Sequence, residues 1–378
     1  MASRLSRSDV WLLAGGAILA AGSAVTHYVR TGPVVPFVAS ALALGVLAAI
    51  VGRSVDRLGD RLGSGMTGVI QSALGNLPEL FFGIFALRAG LVAVVQAALI
   101  GSILANVLLV LGLAFIVGGL KHGTQRFPAD NARVIVLLLV LAVSVLMIPS
   151  LSAHLDVAVR RHEGALSDVA AVVLLAVFIL SAPRSVRRDS RPSTEDTATG
   201  GESGISEAIG HGLSGVQTKV VPTAGAWSIS LVVVTLLASS VAAAFVSDWF
   251  VSALTPALSA LHMSQAFAGL VVVAIAGNAV ENVVGIQLAA RNRTDYALSV
   301  ILQSPVQIAL VLIPALVLLS GVVGGAQLTL VLSPLLAVVL ALTTLIAALV
   351  VLDGESTWLE GACLLGLYVV IAASFWWG

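Results

Sequence analysis

Long apolar stretches separated by short polar ones dominate the pattern of this chain. About 20 apolar residues in a helix suffice to cross the hydrocarbon core of a membrane. Eleven stretches approach or exceed that length, at roughly 10–29, 34–52, 64–87, 92–118, 132–152, 164–182, 226–247, 265–290, 296–319, 326–350 and 357–376. The pattern therefore predicts an all-α polytopic membrane protein with about 11 transmembrane helices.

The longest polar stretch, residues 184–224, lies between the sixth and seventh predicted spans. It begins with several arginines and continues with Ser, Thr, Gly and acidic residues, a composition that buries little apolar area. We therefore expect a polar cytoplasmic linker. The predicted units are an N-terminal helix at 1–33, five-helix units at 34–183 and 225–378, and this linker between them.

Basic residues are distributed asymmetrically over the loops, which indicates orientation. With the N-terminus in the cytoplasm, all but four of the 19 Lys and Arg residues fall inside; the exceptions are Arg30, Arg88, Arg160 and Arg161. The C-terminus then lies outside. The first apolar run follows two arginines, as in a secretory signal, but ten further spans and no clear cleavage site favour a retained helix. Short loops favour a bacterial inner membrane.

An internal repeat relates the two halves at an offset of 202 positions. The pattern G-N-x-x-E-x-x-x-G at 75–83 recurs at 277–285, and the same offset aligns Ser102 with Ser304. Because each unit holds five spans, an odd number, the second copy must be inverted in the membrane. Inverted repeats with a site near the midplane are a recurring design of secondary transporters.

Glu79 and Glu281 occupy equivalent positions of this repeat, and we interpret them as the only ionisable side chains well inside a span. A charge at the bilayer centre costs about 2.5–3.5 kcal/mol on insertion scales, so such residues usually serve a pathway or a site. The alternative is a protonated glutamate that hydrogen-bonds neighbouring helices. Two glutamates at equivalent positions favour the functional interpretation.

The asparagines three residues before these glutamates share a helix face with them. Carboxylate and amide oxygens are hard ligands that can begin the six-to-eight-oxygen shell of Ca2+, whereas Mg2+ seldom sheds its water. We therefore predict metal binding by Glu79, Glu281, Asn76 and Asn278. Neighbouring glycines and polar residues on the following helices are candidate supporting ligands: Gly75, Gly277, Ser102, Asn106, Ser304, Gln303 and Gln307. Interhelical packing and hydrogen bonding are the alternatives for this second group.

Pro78 distinguishes the two copies, because the second repeat has Val280 at the equivalent position. In a helix interior, a proline would leave the carbonyl of Leu74 without its usual donor. Unwound carbonyls that line a cavity are suitable cation ligands, and a plain kink is the alternative.

Composition excludes several other classes of protein. Lys+Arg and Asp+Glu are both 19, so charge indicates no nucleic-acid partner, and only 10% of the residues are charged. The single cysteine, Cys363, rules out a disulfide within the chain and disfavours a thiolate metal site. No feature fixes an oligomeric state. No Ser–His, Cys–His or zinc-ligand set lies at membrane depth, so we expect neither an enzyme nor a cofactor.

The repeated motifs resemble the two signatures of the Ca2+/cation antiporter (CaCA) superfamily, and most of all its Ca2+/H+ exchanger (CAX) branch. Residues 75–80 (GNLPEL) and 101–112 (GSILANVLLVLG) look like the first signature. Residues 277–281 (GNAVE) and 304–310 (SPVQIAL) look like the second. The resemblance covers both repeat cores and the eleven-span plan. It implies that the two glutamates are central Ca2+ ligands and proton carriers.

Three departures from the family pattern bear on the driving ion and on regulation. Asn282 stands where the branch often has a histidine, and Pro78 is more reminiscent of Na+/Ca2+ exchangers. The linker lacks a dense acidic helix. The resemblance implies exchange of Ca2+ for H+ with export of Ca2+ from the cytoplasm. Coupling to Na+ or K+ is the open alternative, and a cation channel is less favoured.

Overall fold

The computed structural model describes residues 6–29, 31–62, 74–127, 129–155, 162–188 and 227–377, without the side chains of 60–62, 129–131, 182–188 and 279–281. Most of this part of the chain is helical. In chain order the helices are α1 Arg7–Tyr28, α2 Val34–Leu62, α3 Leu77–Arg88, α4 Val92–Leu104, α5 Leu111–His122, α6 Ala129–His154, α7 Glu163–Arg188, α8 Ile229–Leu261, α9 Gln265–Phe267, α10 Ala274–Gly277, α11 Ala279–Ala289, α12 Thr294–Gln307, α13 Ile313–Val323, α14 Pro334–Val351 and α15 Trp358–Trp376. Two short antiparallel strands, β1 Gln125–Arg126 and β2 Glu355–Ser356, pair with each other.

The predicted fold class is confirmed. Within the described ranges, nine helices or continuous helix runs are long and apolar enough to cross a membrane. A tenth span is possible from Gln265–Gly277 and Asn282–Ala289, which are bent by 65° at the break between them. The third predicted span, 64–87, lies partly outside the described residues, and its described part forms α3.

Three predicted boundaries differ from the structure. Helix α8 continues past the predicted end at 247 to Leu261, so Asp248 lies within a helix of 33 residues. Such a helix is about 50 Å long, whereas a hydrocarbon core is about 30 Å thick, so the helix is longer than one crossing requires. Helix α7 extends to Arg188, into the predicted linker, while 189–226 lie outside the described residues.

The tenth predicted span, 326–350, was wrong at its start, because residues 324–333 are not helical. Helix α14 begins only at Pro334, with the side chain of Ser333 accepting a hydrogen bond from Leu336 N. Proline is favoured in the first turn of a helix, and it restricts the residue before it to extended conformations. We call residues 324–333 the strap.

Contacts near the ends of the helices distinguish two faces of the molecule. On one, which we call the amino-terminal face, Arg53 pairs with Asp9 at 3.0 Å and Arg126 pairs with Glu355 at 3.0 Å. On the opposite face, Ala326 N donates to Leu87 O at 3.0 Å. Each contact joins segments that the predicted alternation of spans places on the same side of the membrane.

The N-terminal helix is fastened to the bundle by a buried carboxylate. Asp9 is 1% exposed, accepts a hydrogen bond from Trp227 Nε1 at 3.1 Å and pairs with Arg53 of α2. Because a buried charge needs partners, these contacts offset the cost of taking Asp9 out of water. Helix α1 is thereby held against α2 and against the segment that precedes α8.

Two glycines bring the halves into backbone contact at the centre of the bundle. A Cβ atom on Gly101 would overlap the backbone of Leu270, and one on Gly269 would lie 2.5 Å from Val94 O. Only residues without a side chain permit such a close crossing. Gly101 therefore acts in packing between the halves. The crossing places Ser102 and Asn106 beside the segment that ends in Asn278.

Candidate functional site

Both copies of the repeated motif break their helix at the asparagine. Asn76 has φ −96° and ψ 22°, and Asn278 has φ −100° and ψ 19°. A new helix starts directly after each, and its first turn is closed by Leu80 N to Asn76 O at 3.0 Å and Asn282 N to Asn278 O at 3.1 Å. Equal backbone geometry at positions 202 apart is what a duplicated unit predicts.

Pro78 lies in the first turn of α3 rather than in a helix interior. The expectation that it removes an interior hydrogen bond from Leu74 O was therefore wrong. In a first turn, the missing N–H has no intrahelical partner to lose, so proline is well tolerated. The helix break comes from Gly75 and Asn76 instead, and it recurs at Gly277 and Asn278, where no proline follows.

Glu79 is the third residue of α3, so its carboxylate lies at the positive end of the helix dipole. A charged carboxylate is less costly there than in the middle of a helix. Glu281 is likewise the third residue of its helix, α11, but its side chain lies outside the described residues. The predicted role of Glu281 therefore stays a prediction.

The Glu79 side chain packs directly against the break of the other half. A Cβ atom on Gly277 would lie 2.8 Å from Glu79 Oε1 and 3.1 Å from its Cγ. Glycine leaves the space that the carboxylate occupies. Glu79 of the first motif is thus in contact with Gly277 of the second, and any larger residue at position 277 would displace the acid.

Asn278 is the centre of a buried hydrogen-bond network, which we call the hub: Ser102, Asn106, Asn278 and Ser304. Asn278 Nδ2 donates to Ser102 Oγ at 3.0 Å and to Ala274 O at 2.9 Å. Its Oδ1 accepts from Asn106 Nδ2 at 3.2 Å and from Ser304 Oγ at 3.2 Å. All four hydrogen-bonding positions of this amide are occupied. The hub joins three segments, and Asn278 is 1% exposed.

Two amide atoms of the predicted set have no hydrogen-bond partner among the described residues. They are Asn106 Oδ1 and Asn76 Nδ2, on side chains that are 0% and 7% exposed. A buried polar atom without a partner is costly, and such atoms mark places where a ligand or water binds. Asn106 Oδ1 is a hard oxygen of the kind that a cation takes.

The remaining predicted residues surround the hub without a described contact to it. Gln307 is buried and Gln303 is half-buried, and both lie on α12 with Ser304. Gly75 is half-buried beside Asn76. Their predicted supporting roles stay predictions.

Segments of π-helix adjoin the site, a feature that sequence reasoning missed. They are Ala105–Val110, Ala268–Val273 and Ile308–Leu312. The first contains Asn106, the second leads into α10, and the third follows Gln307. Such segments hold one extra residue per turn and frequently occur at functional sites. Hydropathy carries no signal for them, because the inserted residue is as apolar as its neighbours.

A small cavity, about 10 Å³ and thus with room for about one water molecule, lies beside Glu79 and Ser102. Its other walls are apolar and lie on the side of the opposite face. They comprise Phe82, Gly83, Val95, Ala98, Leu99, Val273, Leu312 and Leu316. The site thus combines a carboxylate at a helix start, a hub of amides and hydroxyls, and a small cavity whose other walls are apolar.

Comparison with known proteins assigns the chain to a family. The family model for the sodium/calcium exchanger protein matches residues 33–184 and 231–377. The chain belongs to this family. The resemblance of its motifs to the Ca2+/cation antiporter superfamily is thereby confirmed, and both matched ranges contain one copy of the motif.

Curated relatives and a solved structure agree with the family. A Ca(2+)/H(+) antiporter of Aphanothece halophytica is 30% identical over 93% of each chain. The Ca(2+)/H(+) antiporter ChaA of Bacillus subtilis is 30% identical over 96% of this chain and 97% of its own. The structure of native YfkE superposes with a TM-score of 0.76 at 26% identity, covering 97% of this chain and 98% of that one. The antiporter branch inferred from the motifs is confirmed.

Proposed function

We propose that this protein exchanges Ca2+ for H+ across a membrane and exports Ca2+ from the cytoplasm. The observation that carries the proposal is Glu79 at a helix start, against Gly277 of the second motif and facing a cavity. Relatives named Ca(2+)/H(+) antiporters match nearly the full chain in both directions. The cytoplasmic N-terminus, the external C-terminus and the bacterial inner membrane belong to the same proposal.

The chemistry of exchange follows from competition for the same oxygens. Ca2+ binding requires ionised Glu79 and Glu281, whereas an empty site in a medium of low dielectric favours their protonation. Ca2+ and protons therefore exclude each other. If the site opens to one side at a time, this exclusion couples the two fluxes, and an inward proton gradient drives Ca2+ outward.

The proposed ligands differ in whether their oxygen atoms already accept hydrogen bonds. Glu79 borders the cavity, and Asn106 Oδ1 lacks a partner among the described residues. Asn278 must give up a hydrogen bond of the hub before its oxygen can bind Ca2+. Asn76 and Glu281 complete the proposed set of direct ligands. The proposed unit limits, 34–183 and 225–378, put one motif in each inverted unit.

Purified protein in proteoliposomes tests the proposal. We expect 45Ca2+ uptake that follows an imposed pH gradient and collapses when a protonophore dissipates it. A Na+ gradient at constant pH tests the second candidate, Na+-coupled exchange. This candidate is considered because the chain belongs to the sodium/calcium exchanger family. Uptake that depends on Na+ and ignores the pH gradient would replace the first candidate by the second. Ca2+ current without any counter-ion would contradict both.

Ca2+ affinity is expected to fall as the pH is lowered. A protonated carboxyl cannot bind Ca2+, so the apparent Kd rises about tenfold per pH unit for one competing proton and about 100-fold for two. Equilibrium 45Ca2+ binding to the purified protein at stepped pH measures this slope. An affinity that does not change with pH would contradict shared carboxylates.

Gly277→Ala is expected to slow exchange about tenfold without unfolding the protein. The added methyl group would lie 2.8 Å from Glu79 Oε1 and displace the carboxylate, and about 1.4 kcal/mol of lost binding corresponds to that factor. Gly366→Ala is the matched control, because a Cβ atom there meets open space. The measurement is the initial rate of 45Ca2+ exchange by both variants, compared with the unmodified protein. Unchanged exchange in Gly277→Ala would contradict the position assigned to Glu79.

A further inference from the structure

The strap is an unusual element, because it is non-helical and yet its second half carries three buried leucines. Leu328, Leu330 and Leu332 are 2%, 4% and 6% exposed. Backbone without helical hydrogen bonds is tolerated in a membrane protein only where it is buried in protein or lines a cavity. Its polar groups therefore need partners from neighbouring helices.

Side chains of the first half supply those partners. Gln96 Nε2 donates to Thr329 O and to Val331 O, both at 3.0 Å. Ser167 Oγ accepts from Leu330 N at 2.9 Å. Ser150 Oγ donates to Leu330 O at 2.7 Å and accepts from Leu332 N at 3.0 Å.

The strap also contacts the helix that carries Glu79. Ala326 N donates to Leu87 O at 3.0 Å, and a Cβ atom on Gly325 would lie 2.6 Å from Arg88 Cα. Gly325 has φ +104°, a backbone conformation that residues with a side chain rarely adopt. The strap thus connects the outer end of α3 with α4 through Gln96, and these two helices form walls of the site cavity.

A second cavity lies between the strap and the site. It is small, about 20 Å³, and it is lined by Gln96, Leu99, Ile313 and strap residues. Leu99 also lines the cavity beside Glu79, and Ile313 follows Leu312 of that cavity in the chain. The two cavities therefore share a wall at Leu99, with Glu79 beside one of them and the strap beside the other.

We propose that these two cavities are the ion route between the site and the opposite face, that the strap closes this route, and that Gln96 latches the strap. The inference rests on the exchange function proposed above. Gln96 is a positioning residue, because it contacts the strap and not the ion. Outward opening requires the strap to separate both from Gln96 and from the end of α3.

Locking the strap to α3 tests the proposal directly. In a Cys363→Ala background, we join Arg88→Cys to Ala326→Cys by oxidation and follow 45Ca2+ exchange in proteoliposomes. Exchange is expected to slow at least about tenfold on cross-linking and to recover on reduction. Each single-cysteine variant, treated with the same oxidant, is expected to keep its rate. Full exchange by the cross-linked protein would overturn the proposal.

Releasing the latch gives an independent readout that does not require transport. Ala98→Cys places a thiol in the site cavity, and we measure its modification rate with a cationic methanethiosulfonate in the same background. Gln96→Leu removes two hydrogen bonds to the strap, so we expect modification to be about tenfold faster. Gln327→Leu makes the same change at an exposed glutamine of the strap and is expected to have no effect. An unchanged rate in Gln96→Leu would overturn the proposal. Failure of the unmodified protein to exchange Ca2+ would refute the exchange function alone.

Discussion

Glu79→Gln is expected to abolish proton-coupled Ca2+ exchange, with a loss of at least about 100-fold in initial rate. Glutamine fills the same space against Gly277, but it provides neither the charge that Ca2+ requires nor an exchangeable proton. A factor of 100 corresponds to about 3 kcal/mol, a modest share of the interaction between a divalent ion and a carboxylate of low exposure. The measurement is 45Ca2+ uptake into proteoliposomes, with a pH-sensitive dye reporting the proton flux.

The chain offers a matched control for this substitution. Asp248 is another carboxylate within a spanning helix, but it is exposed on α8 and lies outside the cavity. Asp248→Asn is therefore expected to leave exchange within about twofold of the unmodified protein, as substitutions at exposed sites usually do. Full exchange by Glu79→Gln would refute the mechanism. An equal loss in both variants would assign the effect to membrane carboxylates in general.

Hydropathy predicted the spanning helices because the membrane imposes one rule on every residue of a span. It failed at the strap, where Leu328, Leu330 and Leu332 are as apolar as lipid-facing residues. They are buried in protein, and the backbone of the strap is paired by side chains of Gln96, Ser150, Ser167 and Ser320. Hydropathy shows that a side chain avoids water, but it does not show which groups hydrogen-bond the backbone. For this reason, the hydropathy pattern extended the predicted span over the strap. The Ser333–Pro334 pair was the available local signal.

The site was predictable to the extent that it lies in the repeat. The offset of 202 positions matched Asn76 with Asn278, and their backbone angles agree within a few degrees. The asymmetry of the hub was not predictable, because Asn106 aligns with Ile308, which has no hydrogen-bonding group. A contact between Asn106 and Asn278 depends on the crossing at Gly101 and on a π-helical segment, and neither leaves a periodic pattern.

The hub has a structural role that can be separated from ion binding. Asn278 connects to Ser102, Asn106 and Ser304, which lie on segments of both halves. Interhelical hydrogen bonds in membrane proteins contribute about 0.6 kcal/mol each on average. Three such bonds therefore stabilise the junction by about 2 kcal/mol. Their geometry also fixes where the cation oxygens lie, so the same bonds affect transport.

Asn278→Ala is accordingly expected to lower the free energy of unfolding by about 2 kcal/mol and to reduce exchange at least about tenfold. Unfolding by sodium dodecyl sulfate in mixed micelles measures the first effect. A double-mutant cycle with Ser304→Ala is expected to give a coupling of about 0.6–1.7 kcal/mol, because the two side chains share a hydrogen bond of 3.2 Å. Ser299→Ala on the same helix is the control, since Ser299 bonds only to Asp295 O in the described contacts and should show no coupling. Additive effects of Asn278→Ala and Ser304→Ala would contradict the hub, because two side chains that share a hydrogen bond are expected to be coupled.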